Sequence, residues 1–516
     1  MPRRLLKPLR LGVALVFLVG LTTAFADFRG LVPARLAHWL AAVQFTPALL
    51  AGGGLAAILI LTLIVGVTLA FGRVYCSTVC PLGLLQDALA RVAAWVRPRR
   101  RPLPFAPAHN RLRYGLFAVI VVAVALGAGA VVFPWADPYS HFGRIVAGLF
   151  RPLLVMANNA LVPAAQALGR QWLYRIPPAP AEPGLVWPAL GMLALLAGLV
   201  AWRGRIFCNT LCPVGTVLGL FSRHAAFRLS IAAEACTKCA SCLRVCKAQC
   251  LDLRHRVIDA SRCVGCFNCL DACPEHGIGF AFTWSRSLPT EAADPFRRAL
   301  LAGAATLALA PARALAAGHR HRRRHETGGG DRVPAIPPGA GDTDRFLHHC
   351  TACQLCVGAC PTQVLRPARL DHGFAGLAKP RLDFTRSFCN YDCHRCGDVC
   401  PTGAIAPLAL ADKQLTSIGL AHFEQKRCIV ETDGTDCAAC SEHCPTKAVD
   451  TVPFRENLRL PHVNEDLCIG CGACEYACPV RPQRAITVTA RAVHTRATKA
   501  VEARPAARPT SGDFAF

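Results

Sequence analysis

Cysteines dominate the chemistry that this sequence could perform. The chain of 516 residues holds 29 cysteines, and most of them fall into six groups of four. The basic spacing, Cys-x2-Cys-x2-Cys-x3-Cys, is typical of two-cluster ferredoxins, in which three close thiolates wrap one [4Fe–4S] cluster and the fourth reaches a neighbouring cluster. Zinc sites usually pair two separated Cys-x2-Cys knuckles, and disulfide scaffolds need no fixed spacing. The pattern therefore favours iron–sulfur clusters.

The first two groups lie close together and predict one two-cluster module. Crossing of the fourth cysteines gives two ligand sets: Cys236, Cys239, Cys242 and Cys273 for one cluster, and Cys263, Cys266, Cys269 and Cys246 for the other. Lys247 stands where proline usually follows the fourth cysteine. Cys250 is then a spare thiol, which either packs or serves as an alternative ligand.

Four further groups in the C-terminal part predict four more clusters, six in all, with the ligand pairing among these groups left open. They are Cys350, Cys353, Cys356 and Cys360; Cys389, Cys393, Cys396 and Cys400; Cys428, Cys437, Cys440 and Cys444; and Cys468, Cys471, Cys474 and Cys478. The nearby histidines His348, His349 and His394 are interpreted as surface or packing residues. No haem, flavin or nicotinamide motif is present, and no catalytic residue is assigned.

Four other cysteines form a repeated motif outside these groups. "GRVYCSTVCPLG" begins at Gly72 and "GRIFCNTLCPVG" begins at Gly204, each where an apolar run ends. Cysteines four apart share one face of a helix, and the proline after the second one ends or kinks it. Two such pairs related by a pseudo-twofold axis could present Cys76, Cys80, Cys208 and Cys212 to one metal, small cluster or redox disulfide. The alternative is packing as small apolar residues.

The first 230 residues are apolar enough to predict membrane helices. Four spans are expected, at about 11–25, 47–71, 114–133 and 184–202, since a span needs roughly 20 apolar residues. The first span could instead be a cleaved signal peptide. A helical stretch at 144–171 is expected to lie on the outer membrane surface, as a connector or part of a quinol site.

Charge predicts the orientation of these spans. The net charge is +25, and arginines flank the apolar segments on one side, which the positive-inside rule assigns to the cytoplasm. The N-terminus, both repeated motifs and the segment after Trp202 are therefore expected to face the cytoplasm of a bacterial inner membrane. No nucleic-acid motif is present, so the basic charge is attributed to contact with membrane lipid.

The junction between the two cysteine-rich parts contains a candidate export signal. Arg297 and Arg298 precede an Ala/Leu run that ends near Ala316, as in a twin-arginine signal. Export would place the C-terminal part in the periplasm. Arginines at 320 and 322–324 oppose export, and an interfacial linker that leaves everything cytoplasmic is the alternative.

The predicted fold class is an integral membrane α-helical bundle of about four spans followed by α+β bacterial-ferredoxin-like [4Fe–4S] modules. The expected domains are a membrane domain at 1–230, a two-cluster domain at 231–285, a linker at 286–342, a four-cluster domain at 343–490 and a disordered tail at 491–516.

These motifs resemble a known group of bacterial proteins. Residues 1 to about 285 resemble the NapH and MauN membrane ferredoxin subunits, on the paired Cys-x3-Cys-Pro motifs, the spans and the trailing two-cluster domain. Residues from about 295 resemble the NapG, MauM and NapF ferredoxins, on the twin arginine, "RFLHHCTACQLCVGACP", "IGLA" at 418–421, the stretched third group and "CIGCGACEYACP". The chain thus looks like a fusion of a membrane subunit with a polyferredoxin.

The resemblance implies quinol-linked electron transfer in a system like that of nitrate reductase. The expected partners are the quinone pool and a redox protein, either a reductase or a cytochrome. An assembly or maturation factor, a redox sensor and a terminal reductase remain as alternatives. Six clusters favour conduction, because a sensor or an assembly factor needs only one or two centres.

Overall fold

The computed structural model describes residues 3–96, 105–169, 171–177, 182–282, 334–455 and 457–499. They form two compact units. The first unit comprises Met1–Asp331, Asp344–Pro380 and Arg395–Ala406, and the second comprises Arg332–Thr343, Arg381–His394 and Pro407–Phe516, each as far as it is described. The division runs through segment 343–490, which the sequence treats as one domain. The candidate export signal, with Arg297, Arg298 and the arginines at 320–324, lies outside the described residues.

The N-terminal part of the first unit is helical. Its α-helices are α1 (Arg3–Ala26), α2 (Ala34–Ala42), α3 (Phe45–Leu50), α4 (Leu55–Phe71), α5 (Tyr75–Thr78), α6 (Pro81–Val96), α7 (Asn110–Ala123), α8 (Gly129–Ala136), α9 (Pro138–Ile145), α10 (Arg151–Ala167), α11 (Pro183–Arg203) and α12 (Pro213–Ser222). Short π-helical turns lie at Val124–Ala128, Val146–Phe150 and Phe207–Leu211.

Four helical segments in the described residues are long and apolar enough to cross a membrane: Leu5–Ala26, Asn110–Ala136, Pro138–Ala167 and Pro183–Arg203. Three of them correspond to spans expected from the sequence. The expected span at 47–71 is wrong as one helix, because Gly52 and Gly53 adopt positive φ angles and separate α3 from α4. The remaining helix α4 has 17 residues, which is about 25 Å at the α-helical rise.

The stretch expected on the membrane surface belongs to a longer helix. Asp137 begins it, because its carboxylate accepts hydrogen bonds from the backbone N–H groups of Tyr139 and Ser140 at 3.1 and 3.0 Å, and Pro138 suits a first helical position. Every residue of α9 is buried. The segment continues to Ala167 and is also long and apolar enough to cross a membrane; the expectation that it lies on the outer membrane surface from residue 144 stays a prediction.

A small ferredoxin-like module follows α12. Strand β1 (Phe227–Ile231) pairs antiparallel with β4 (Ile278–Phe282), and β2 (Leu251–Asp252) pairs with β3 (Val257–Ile258). Between the strands lie the short helices α13 (Ser241–Val245) and α14 (Asn268–Ala272). The core of this module contains Phe267, Leu270 and Ile278, and Leu6 of α1 packs into it. We call residues 227–282 the first module.

The C-terminal segments of the first unit consist of short elements. The helices are α15 (Thr343–His349), which begins one residue before the unit does, α16 (Leu355–Ala359), α17 (Gly373–Gly376) and α18 (Arg395–Asp398); the strands are β5 (Leu365–Pro367) and β6 (Pro380–Leu382).

The second unit carries two hairpin-like sheets. Strand β7 (Thr416–Phe423) pairs antiparallel with β10 (Ile486–Arg496), and β8 (Val449–Pro453) pairs with β9 (Arg459–Val463). Its helices are α19 (Leu410–Gln414), α20 (Ile429–Thr432), α21 (Ala439–Glu442) and α22 (Ala473–Ala477), with a 3-10 turn at Gln425–Arg427. Strand β10 extends six residues into the segment expected to be a disordered tail, because its distal end pairs with Thr416 and Ser417. Residues 500–516 are not among those described.

Candidate iron–sulfur sites and a buried four-cysteine centre

The structure groups the cysteines of the first module into two sets. Cys236, Cys239, Cys242 and Cys273 line one small pocket. Cys269 lies within electrostatic range of Cys263, Cys266 and Cys246. The fourth cysteine of each motif therefore lies with the three close cysteines of the other motif, which is the arrangement that two-cluster ferredoxins use.

Left-handed backbone conformations shape the cysteine loops. Ala240, Phe267 and Gln354 have φ angles of 58–73°, and each immediately precedes the short helix of its motif. A non-glycine residue rarely adopts such a conformation unless the surroundings enforce it, and such residues cluster at functional sites. In the second unit glycine supplies the same turn, because Gly472 has a φ of 80° before α22.

Cys250 lies inside the second set of the first module. Its side chain is 2% exposed, and its Sγ lies 3.8 Å from the Sγ of Cys246. It also lies within hydrogen-bonding range of Cys263. This thiol is not one of the four ligands assigned to the second set. It is, however, close enough to replace one of them.

One further set belongs to the C-terminal segments of the first unit. Cys350, Cys353, Cys356 and Cys400 lie within electrostatic range of one another, so three cysteines of one motif again meet the fourth cysteine of the next. We call this group the third site. Of the four cysteines that remain in these two motifs, Cys360 and Cys396 belong to the first unit, and Cys389 and Cys393 belong to the second.

The second unit contains two complete sets. Cys428, Cys437, Cys440 and Cys478 line one small pocket, and Cys474 lies within electrostatic range of Cys468, Cys471 and Cys444. The fourth cysteines are exchanged here too. The longer spacing between Cys428 and Cys437 is absorbed by α20, so it does not displace the first ligand. Cys389 also approaches this region, since its backbone N–H donates to the Cys471 carbonyl at 2.9 Å.

The cysteines of the repeated motif converge at one buried place, which we call the four-cysteine centre. Cys76, Cys80, Cys208 and Cys212 are each 4–5% exposed, and Cys80 lies within electrostatic range of the other three. Among the described residues, no group of three or more His, Cys, Asp or Glu side chains is placed to hold a metal ion. Thiolates around a multi-iron cluster stand further apart than those around one ion.

Two arginines cross between the repeats at this centre. Arg73 of the first repeat donates to the Cys208 carbonyl at 3.0 Å, and Arg205 of the second donates to the Cys76 carbonyl at 2.7 Å. A Cβ atom on Gly83 or Gly215 would collide with the carbonyl of Cys76 or Cys208, respectively. The glycine of each repeat therefore allows the helix to approach the carbonyl of the first cysteine. Each arginine hydrogen-bonds to the backbone of the other repeat and so joins the two repeats.

Hydrogen-bond donors also reach the sulfur atoms. Gln86 Nε2 lies 3.2 Å from Cys208 Sγ, the Gly215 backbone N–H lies 3.4 Å from Cys212 Sγ, and Arg73 Nη2 lies 3.8 Å from Cys76 Sγ. Donors aimed at sulfur stabilise thiolates and tune the potential of any cluster that they hold.

A buried carboxylate joins the first module to the bundle. Asp87 forms ion pairs with Arg10 at 2.7 Å, with Arg205 at 2.8 Å and with Lys247 at 3.0 Å. Burial raises the pKa of Asp87, but the three cations outweigh burial and hold it well below its usual range. The position of Lys247, where proline is usual, is thus explained by its contact with the bundle.

Sequence reasoning missed these supporting residues. Arg73, Arg205 and Asp87 are 0–3% exposed, and none of them was assigned a role. A signal for the arginines was present, because Gly-Arg precedes the first cysteine of both repeats. For Asp87 the repeat offered none, since Gly219 occupies the equivalent position.

Hydrogen bonds join the segments around the third site to the helical part of the first unit. Lys379 Nζ donates to the Ala130 carbonyl at 2.8 Å, Arg151 donates to the Gly358 carbonyl at 3.1 Å, and a His349 ring nitrogen lies 3.0 Å from the Leu50 carbonyl. Burial lowers the pKa of Lys379 to about 8, against the opposing effect of Cys350. His349 therefore has a packing role, in line with its interpretation from the sequence.

Two family models match this chain. A model described as a 4Fe-4S binding domain matches residues 54–104 and 184–231, which contain the two copies of the repeated motif. A model described as a 4Fe-4S dicluster domain matches residues 349–404 and 427–495. No solved structure matches the chain.

Curated relatives match the C-terminal part. The ferredoxin-type protein NapF of Escherichia coli K12 is 32% identical over 146 residues, which are 28% of this chain and 79% of NapF. The methylamine utilization ferredoxin-type protein MauM of Methylobacillus flagellatus is 33% identical over 167 residues, 30% of this chain and 68% of MauM. The ferredoxin-type protein NapG of Escherichia coli K12 is 32% identical over 166 residues, 30% of this chain and 68% of NapG. The chain belongs to this family of ferredoxin-type iron–sulfur electron-transfer proteins, and its N-terminal half adds helices long and apolar enough to cross a membrane.

Proposed function

We propose that this protein is a membrane-bound electron carrier that takes electrons from quinol and passes them through six [4Fe–4S] clusters to a reductase or cytochrome. The observation that carries the proposal is the pairing of cysteine sets with membrane-length helices in one unit. Oxidation of one quinol to quinone releases two electrons and two protons, and the clusters supply one-electron transfer. Beyond its contact with quinol, the protein has to hold the clusters at suitable positions and potentials.

The donor sets fit such clusters. Five groups of four thiols lie together as described above, and in each group one cysteine comes from a neighbouring motif. Four thiols without a competing carboxylate or imidazole among them suit iron–sulfur chemistry.

The residues of this chain hold and orient the sites. Lys247 and Arg73 tie the first module to the helices through Asp87 and the Ser261 carbonyl. Lys379 and Arg151 tie the third site to the helices through backbone carbonyls. Fixed positions matter because the rate of electron transfer falls steeply with the distance between centres.

The proposed location is the bacterial inner membrane. The arginines that flank the apolar segments support a cytoplasmic first module, and the placement of the third site near the other end of α1 supports a periplasmic position for that site. This arrangement agrees with the twin-arginine motif at Arg297 and Arg298. The relatives named as ferredoxin-type proteins, one of them for methylamine utilization, support a redox protein as acceptor.

The test uses anaerobic membranes that contain the full chain. Added quinol should bleach the visible absorbance of the oxidised clusters and produce the electron paramagnetic resonance (EPR) signals of reduced ones. A Cys242→Ser variant should lose about four irons and four sulfides per chain, whereas Gly198→Ala, where an added methyl group meets open space in α11, should keep the wild-type count. Stoichiometric zinc with little iron would contradict the cofactor. Intact clusters that no quinol reduces would contradict the donor and favour assembly or sensing.

A further inference from the structure

The first module and the third site lie near opposite ends of the same helix. At the start of α1, Leu6 packs in the core of the first module, and Lys7 pairs with Asp271 at 2.8 Å. At its end, the Phe25 ring lies against Gly143, where a Cβ atom would also meet the Cys353 carbonyl. The α-helical rise separates Leu6 from Phe25 by about 28 Å. Electrons could not cross this distance efficiently in one step, so a relay needs a centre in between.

Buried contacts join the four-cysteine centre to the first module. The Arg73 guanidinium lies 3.8 Å from Cys76 Sγ and donates to the Ser261 carbonyl at 2.9 Å. Ser261 is two residues before the ligand Cys263. Asn209, which follows Cys208, donates to the Ala248 carbonyl at 3.2 Å. One side chain thus touches both the centre and the loop that leads into the nearest cluster site.

A second line of buried contacts leads from the centre to the third site. The Tyr75 hydroxyl, next to Cys76, donates to Gln44 at 3.1 Å and accepts from the Phe45 backbone N–H at 3.0 Å. Thr46 then hydrogen-bonds to Asp137, and the Tyr139 side chain lies within electrostatic range of Cys353. The four-cysteine centre is therefore connected to cluster sites on both sides.

The buried charges indicate what the four cysteines hold. Arg73 is 0% exposed, and its hydrogen bonds go to the Asn209 side-chain oxygen, two backbone carbonyls and Cys76 Sγ. None of these partners is a carboxylate. Arg205 shares the single carboxylate of Asp87 with Arg10 and Lys247.

Cations therefore outnumber carboxylates around the centre, and a buried charge without a counter-charge is strongly destabilising. Two disulfides would be neutral and would leave Arg73 without an anion. Four thiolates bound to iron and sulfide carry net negative charge, so they supply the missing counter-charge. Iron–sulfur clusters held by four cysteines are a common form of such a centre.

We propose that Cys76, Cys80, Cys208 and Cys212 ligate one anionic iron–sulfur centre, and that this centre relays single electrons across the helical bundle between the first module and the third site. The inference rests on the proposed function for the identity of the flanking clusters. Each step transfers one electron, lowers the oxidation level of the acceptor by one, and forms or breaks no bond. Arg73 and Arg205 act as positioning residues, since they fix both repeats around the centre.

The test uses the full chain in proteoliposomes with one orientation. The variants are Cys76→Ser/Cys80→Ser and Cys208→Ser/Cys212→Ser, and Gly198→Ala is the control because an added methyl group at this position in α11 meets open space. Each pair variant should lose the same number of irons and sulfides per chain, while the iron of the remaining clusters stays at the wild-type count. Retention of those clusters shows that the variant has folded. An unchanged iron count in both pair variants would overturn the proposed centre.

The relay is measured by adding a membrane-impermeant reductant, titanium(III) citrate, to one side of these vesicles. In the wild type and in Gly198→Ala, the clusters on both sides should become reduced, as followed by EPR. In the pair variants only the clusters on the treated side should be reduced within the same time. Equal crossing in the pair variants, or no crossing in the wild type, would overturn the relay. Reduction by quinol is scored separately, so failure of the donor is distinguishable from failure of the relay.

Discussion

The two copies of the Gly-Arg…Cys-x3-Cys-Pro motif are alike near the cysteines and different further out. In both, an arginine reaches the cysteine carbonyl of the other copy, and a glycine lies against the carbonyl of its own first cysteine. Eleven positions after the first cysteine the first copy has Asp87 and the second has Gly219. The shared part holds the four cysteines, and the differing part meets different neighbours.

Each of the two differing residues serves one docking contact. Asp87 forms ion pairs with three cationic side chains, one of which is Lys247 of the first module. A Cβ atom on Gly219 would collide with the Arg113 guanidinium, which itself donates to the Gly215 carbonyl at 3.0 Å. A duplicated helix pair can therefore keep a symmetric centre while each copy binds a different part of the protein.

The largest effect is expected for Asp87→Asn. The substitution leaves Arg10, Arg205 and Lys247 buried without their shared anion, and removing one partner of a buried ion pair typically costs about 3–5 kcal/mol. Thermal unfolding monitored by cluster absorbance should show this loss. Asp450→Asn is the matched control, because Asp450 is 62% exposed in its pair with His462 and should change stability by less than about 1 kcal/mol. Equal effects of the two variants would contradict the role of Asp87.

Alanine at the two glycines tests the symmetric part. Gly83→Ala and Gly215→Ala place a methyl group against the carbonyls of Cys76 and Cys208, and overpacking of this kind costs about 1–3 kcal/mol. Because the two sites are equivalent, both variants should lose the iron of the four-cysteine centre to a similar extent. Gly198→Ala, which has open space in α11, should keep it. Loss of this iron in only one of the two glycine variants would contradict the equivalence of the two repeats.

Alanine at Lys247 tests the asymmetric part. Lys247→Ala removes a mostly buried contact with Asp87, and we expect a loss of about 1.5–3 kcal/mol, the range for hydrogen bonds to charged groups. Lys7→Ala removes an exposed contact between the helices and the same module and should cost less than about 1 kcal/mol. Hydrogen exchange of residues 236–273 reports loosening of the module. Faster exchange in Lys7→Ala than in Lys247→Ala would reverse the expected order.

The smallest effect is expected for Gln86→Leu, which gives the first copy the residue of the second. It removes the hydrogen bond to Cys208 Sγ at 3.2 Å. A hydrogen bond of about 1 kcal/mol corresponds to roughly 40 mV for a one-electron couple, so the potential of the centre should fall by that amount. Redox titration followed by EPR measures this shift. Gln425→Leu, at an exposed position in the second unit, should leave the potential unchanged, and a rise in Gln86→Leu would contradict the contact.

The cysteine sets could be predicted because their geometry is local. Spacing alone indicated that Cys246 and Cys273 would exchange between motifs, and the structure places them so. The apolar runs of the sequence predicted three of the four membrane-length helices. The segment 47–71, expected to be one helix, is two, because the glycines at 52–54 turn the chain without interrupting the apolar composition.

The supporting contacts could not be predicted because they join distant parts of the chain. Arg73 and Cys208 are far apart in sequence, as are Asp87 and Lys247, and no local pattern specifies such pairs. The start of the helix at Pro138, earlier than the expected residue 144, was missed for a related reason. Its first turn is polar in sequence but wholly buried, since its environment is set by packing against other helices.

The central claim is that the two repeats build one centre, and single substitutions test it most directly. Cys76→Ser, Cys208→Ser and the double variant are compared by Mössbauer spectroscopy of the iron-57 protein. One shared centre predicts that each single variant removes or alters the same spectral component and that the double variant removes nothing more. Two different components, one lost in each single variant and both lost in the double, would contradict the claim.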